Sequence, residues 1–105
     1  MSHVTDMGAM FFYAFNFNQD LSNWDVSRVT DMGKMFSVAE SFNQDLSKWD
    51  VSRVIDMQSM FADTYSFQQT LCGGAWVNSK ASKIDMFADS RGIISDTVCG
   101  AWIPR

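Results

Sequence analysis

FNQDLSNWDVSRVTDMGKMF, residues 17–36, returns almost letter for letter as FNQDLSKWDVSRVIDMQSMF, residues 42–61. The shift is 25 residues, and it aligns whole columns: Val4, Val29 and Val54; Met7, Met32 and Met57; Met10, Met35 and Met60; Phe11, Phe36 and Phe61. Phe17, Phe42 and Phe67, then Leu21, Leu46 and Leu71, extend the alignment. Self-similarity at a period of about 20–50 residues is the signature of stacked structural repeats. The expected fold is therefore an α/β repeat solenoid: one domain over residues 1–105, with about four coils at approximately 4–28, 29–53, 54–80 and 81–105.

Within each coil the apolar spacing predicts a short helix, a turn and a short strand. Met7, Met10, Phe11 and Ala14 stand at i, i+3, i+4 and i+7, as do Met32, Met35, Phe36 and Ala39. Asp6, Asp31 and Asp56 precede these runs as helix caps or first-turn residues. The amides of Asn18-Gln19, Asn43-Gln44 and Gln68-Gln69 are placed to bond the backbone of the next coil. The run Leu21, Trp24, Val26, Val29, repeated at Leu46, Trp49, Val51, Val54, matches the L-x-x-L-x-L spacing of leucine-rich repeats, with a strand centred on Trp-Asp-Val. Trp24, Trp49, Trp76 and Trp102 join Met32, Met35, Phe36, Met57, Met60 and Phe61 as the expected repeat core.

The last coil departs from the pattern. A shift of 27 residues maps Met57, Met60 and Phe61 onto Ile84, Phe87 and Ala88; a rival alignment with a deletion sets Met86-Phe87 under Met60-Phe61. Both remain open on sequence alone.

The run F-N-Q-D-L-S-x-W-D-V-S-x-V-x-D-M-x-x-M-F resembles the repeats of the BspA-like leucine-rich-repeat surface proteins of bacteria and protists. Two coils carry it nearly complete, and the first helix carries its half. The resemblance implies a surface-exposed or secreted protein, with adhesion as the role attributed to many members. Fold likeness does not by itself carry function.

Composition narrows the classes. A net charge of −4 disfavours nucleic acid, because an acidic surface repels phosphate. No apolar run approaches the ~20 residues needed to cross a bilayer, so no membrane insertion is expected. The 8 Met, 9 Phe and 4 Trp fall mostly in repeat columns and read as core rather than as a cofactor site; no cofactor is expected.

Little in the chain suggests catalysis. His3 is the one histidine, and no phosphate-binding, nucleophile-elbow or zinc-protease motif occurs. Cys72 and Cys99 fall in the column of Ser22 and Ser47, and adjacent strands of a parallel sheet lie roughly 4.8 Å apart, within disulfide range. A disulfide implies an oxidising compartment; the alternative is two buried thiols. Asp25 and Asp50 are the candidates for a stacked calcium site, with ion pairing to Arg28 and Arg53 as the competing role.

The functional expectation is a non-enzymatic extracellular or cell-surface module acting by protein contact: adhesion, scaffolding, or head-to-tail assembly into a filament. Its partner is protein, including itself, with Met7 and Phe11 at one end and Trp102 and Ile103 at the other as assembly surfaces. The alternatives are a calcium-binding surface module and a small hydrolase.

Overall fold

Where the backbone amides go decides the local structure of the Met-rich segments. In the computed structural model, which describes residues 4–100, they do not bond back to residue i−4. The N–H groups of Met7, Ala9, Phe11 and Tyr13 instead donate to the carbonyls of Asp31, Gly33, Met35 and Ser37 at 2.8–3.0 Å. Met32, Lys34, Phe36 and Val38 do the same to Asp56, Gln58, Met60 and Ala62, and Met57, Ser59, Phe61 and Asp63 to Ser82, Ile84, Met86 and Ala88. The intervening amides close tight turns, such as Met10 N–H to Met7 O and Ala14 N–H to Phe11 O.

Such turns require left-handed backbone at regular places. Ala9 and Tyr13, Lys34 and Val38, Ser59 and Asp63, and Asp85 and Asp89 all have φ between 53° and 62°. Each non-glycine residue in this region costs roughly 1–2 kcal/mol. The row of hydrogen bonds between successive units offsets that cost and holds the conformation.

The expected LRR-like solenoid of four strand–turn–helix coils is therefore not formed. Among the described residues, regular structure is confined to a two-residue strand β1 (Thr70–Leu71), a four-residue helix α1 (Gly74–Val77) and a two-residue strand β2 (Ile93–Ile94). β1 and β2 pair in parallel, Thr70 with Ile93 and Leu71 with Ile94. Trp24-Asp25-Val26 and Trp49-Asp50-Val51 are not strands. Asp20, Asp25, Asp45 and Asp50 capture the amides of Ser22, Ser27, Ser47 and Ser52 in local turns, which keeps those amides out of any ladder. The molecule is a small globule, 44 × 29 × 25 Å, with almost no regular secondary structure among the described residues.

The repeat nonetheless sets which residues meet. Asp6 is bridged to Asp31, Asp31 to Asp56 and Asp56 to Ser82, all in parallel sense. The core is a double column of phenyl rings. Phe11, Phe36, Phe61 and Phe87 stack at 5.4–5.5 Å between centroids, Phe17, Phe42 and Phe67 at 5.9–6.0 Å, and the columns touch at 4.2 Å. Offset rings at these separations add attraction beyond the burial of their area. Met7, Met32, Met35, Met57 and Met60 fill the space beside them and are fully buried. Trp49 and Trp76 are buried too, and their indole N–H groups donate to Leu21 O and Leu46 O at 2.9 and 2.8 Å.

The final unit keeps no single shift. Ser82 lies 26 residues after its partner Asp56, Ile93 lies 23 after Thr70, and Cys99 lies 27 after Cys72. Phe87 stacks on Phe61, the alignment with a deletion; the 27-residue shift holds only at the cysteines. Gly92 marks the deletion, since a Cβ there would collide with the ring of Phe67.

Candidate contact surface

A column buried in the middle of the molecule opens at its first unit. Met10 is 39% exposed, whereas its counterparts Met35, Met60 and Met86 are 0%, 0% and 2%. Phe11, Phe17 and Trp24 are likewise half-buried where Phe36, Phe42 and Trp49 are buried. Beside them Phe12, Tyr13 and Phe15 are 41%, 54% and 48% exposed. The three rings pack edge to face, Phe12 on Tyr13 at 4.4 Å and Tyr13 on Phe15 at 5.7 Å. At the same places the second unit carries Ser37, Val38 and Glu40, and the third Ala62, Asp63 and Tyr65. The aromatic cluster thus belongs to one end of the molecule rather than to the repeat.

Backbone polarity follows from the turn rows. Within the Met-rich rows each unit donates forward, and the carbonyls of Asp6, Gly8, Met10 and Phe12 hold the first unit's acceptor positions; beside these rows other bonds run backward, Thr30 N–H to Thr5 O and Ile55 N–H to Thr30 O, both at 2.8 Å. The N–H groups of Lys83, Asp85, Phe87 and Asp89 hold the matching donor positions in the last. Among the described residues no group bonds to either set.

The flanks are polar and already engaged. Asp25 Oδ1 accepts from Ser27 N–H at 3.0 Å and Ser27 Oγ at 2.6 Å, and Asp50 Oδ1 accepts from Ser52 N–H at 3.1 Å. Hydrogen bonds from Ser27 and Ser52 hold these two carboxyls below the usual aspartate range, and Ser22 does so for Asp20. Asp6, Asp31 and Asp56 accept from Gly8, Gly33 and Gln58 at 2.8 Å, and Asp31 and Asp56 line a shallow cleft of about 280 Å³ with Lys34. They act as turn closers rather than as helix caps. Among the described residues no three His, Cys, Asp or Glu side chains group to hold a metal ion.

The amide ladder forms as a continuous element. Asn43 N–H donates to Asn18 Oδ1 at 2.9 Å, and Gln68 N–H to Asn43 Oδ1 at 3.0 Å. Gln44 and Gln69 reach the same oxygens at 3.0 Å. At the far end Cys72 and Cys99 are joined in a disulfide, with Cα atoms 4.9 Å apart. Met7, Met32, Met35, Phe36, Met57, Met60 and Phe61 lie in one buried core, and Phe11 lies at its open edge. Trp102, Ile103 and His3 fall outside the described residues.

Two features had weak or no sequence signals. The left-handed turn positions carry Ala, Tyr, Lys, Val, Ser and Asp, of which only Asp favours that conformation. Lys83 occupies the place that Met57 holds one unit earlier; its Nζ turns back to Ser79 O at 2.8 Å and Ala81 O at 3.1 Å, and partial burial lowers its pKa. No helix among the described residues is long and apolar enough to cross a membrane.

No curated protein and no solved structure matches the chain. A family model does, over residues 1–102, and its name is not that of the BspA-like proteins whose repeat the sequence resembles. By that match the chain belongs to the family described as "Mycoplasma protein of unknown function, DUF285".

Proposed function

We propose that the protein is a non-enzymatic module of the cell surface or extracellular space that works by protein contact through its aromatic end. The observation that carries this reading is the exposed cluster of Met10, Phe12, Tyr13 and Phe15 at the first unit. Large rings held against one another lose little conformational freedom on binding, and aromatic residues are enriched in the cores of protein interfaces. The scaffold beneath them is stiff, because a stacked column of phenylalanines and rows of inter-unit hydrogen bonds fix it. The Cys72–Cys99 disulfide supports an oxidising, extracytoplasmic setting. The resemblance of the repeat to surface-protein repeats supports the same location.

The test places a photo-cross-linking phenylalanine analogue at Phe12, and in a control at Ile55, which is 71% exposed on a flank. On intact cells, irradiation is expected to give a discrete protein adduct from position 12 and none from position 55. Protease added outside the cells is expected to degrade the protein. No adduct at position 12, or full protection from external protease, would overturn the reading.

A further inference from the structure

We infer that the cleft between the two Ser-Arg turns binds a sugar bearing a carboxylate, gripped by Arg53 with Arg28 alongside. The site is separate from the aromatic cluster and does not depend on what that cluster contacts.

The repeat builds the cleft. Ser27-Arg28 and Ser52-Arg53 are the same turn one unit apart, each closed by the aspartate two residues before its serine. Thr30 N–H donates to Thr5 O and Ile55 N–H to Thr30 O, both at 2.8 Å, so successive units lie one hydrogen bond apart along this flank. Arg28 and Arg53 line an open cleft of about 610 Å³ together with Thr5, Thr30, Asp50 and Ser52. That is more than twice the volume of the cleft beside Lys34. A lone inorganic anion fills little of it, whereas a hexose ring fits.

Charge selects an acid. The chain carries a net charge of −4, yet this cleft gathers two guanidinium groups against one carboxylate. Ser52 is the main cause of the lowered Asp50 pKa, and Arg53 contributes less; at Asp25 the main cause is Ser27, and Arg28 contributes least. The serines therefore close these carboxylates. Among the described residues Arg53 acts on Asp50 through its charge and makes no hydrogen bond. Its planar donors suit the two-point grip that guanidinium makes on a carboxylate.

The hydroxyls select a sugar. Ser27 Oγ donates to Asp25 Oδ1 at 2.6 Å, and Thr30 Oγ1 donates to Thr5 O at 3.2 Å. With their protons committed, these oxygens can still accept, as can the carboxylate of Asp50. Acceptors beside a guanidinium match a ligand that brings hydroxyl donors and an acid on one ring, as a uronic acid does. An acidic peptide brings the acid without the hydroxyls. Asp50 repels a dianion such as phosphate more than a single carboxylate. No lining residue is aromatic, so a neutral sugar finds no ring to stack on.

The test is an NMR titration of the oxidised 105-residue chain with D-glucuronate. The amides of Ser27, Arg28, Ser52 and Arg53 are expected to shift, with a Kd of about 1 mM for so small a ligand on an open surface. D-glucose, inorganic sulfate and N-acetylglutamate α-amide should each bind at least tenfold more weakly. Arg53→Gln should weaken glucuronate at least tenfold with an unchanged melting temperature, and Arg53→Lys should restore part of the loss. Lys48→Gln removes a cation from a different cleft and should leave binding within twofold. Equal binding of sulfate would reduce the cleft to an anion site, and equal binding of the glutamate amide would assign it to acidic peptides; either overturns the inference. So would glucuronate binding that survives Arg53→Gln, or no shift at tens of millimolar glucuronate. None of these outcomes bears on cross-linking at position 12, so the contact reading stands or falls separately.

Discussion

Removing one ring from the middle of the phenylalanine column tests the core more sharply than any other single change. Phe42 is fully buried, 4.2 Å from the Phe36 ring and 5.9 and 6.0 Å from Phe17 and Phe67. Phe42→Ala loses the transfer energy of the ring and leaves a cavity between rigid neighbours, so it should cost ~3–5 kcal/mol. Phe17→Ala deletes the same side chain at the open end, where the ring is only half-buried and solvent can fill the gap. About half the cost is expected there, roughly 1.5–2.5 kcal/mol on the area scale. Urea unfolding followed by tryptophan fluorescence, with the disulfide intact, measures both. A domain of this size has a total stability of ~5–15 kcal/mol, so the variants should remain folded enough to compare. The gap of ~1.5–2.5 kcal/mol should also appear in thermal melts as a difference of roughly 6–20 °C, at ~4–8 °C per kcal/mol. Equal costs within ~0.5 kcal/mol would refute the stack as the main load on the core.

Three further perturbations address the local geometry. Gly73→Ala drives a Cβ into the carbonyl of Ser47 and should destabilise by ~1–3 kcal/mol, whereas Gly74→Ala meets open space and should be neutral or slightly stabilising; matching urea midpoints for the pair would contradict the placement of α1. Replacing Cys72 and Cys99 by Ser opens a 27-residue link and should cost roughly 3–4 kcal/mol on the chain-entropy account, read as a drop in urea midpoint; a loss under ~1 kcal/mol would show that the last unit is held without the bond. Asp20, Asp25 and Asp50 have carboxyls held below 3.8 in the folded chain, so their stabilising contribution is complete above that value and is lost as pH falls through the lower folded values. Ser27→Ala removes the main cause at Asp25, and its carboxyl should titrate higher by NMR; an unchanged midpoint would dismiss the Ser27 bond.

The 25-residue period matched burial in the second and third units and matched backbone path poorly. Met32, Met35, Phe36, Met57, Met60 and Phe61 face one core, because identical residues at a fixed spacing were placed in identical surroundings. The amide ladder was also legible, since Asn18 and Asn43 recur where a turn needs an acceptor. The helices were not. Spacing of i, i+3, i+4 states which side chains share a face, and a row of tight turns can satisfy it as well as a helix does. What separates the two is the direction of the amides, which depends on a neighbouring unit rather than on local residues. Val38 makes the point: a β-branched residue rarely adopts positive φ, yet it stands at 59° because its N–H meets Ala62 O at 2.9 Å. Sequence spacing equally promised strands at Trp-Asp-Val, where Asp25 and Asp50 divert the following amides into their own turns.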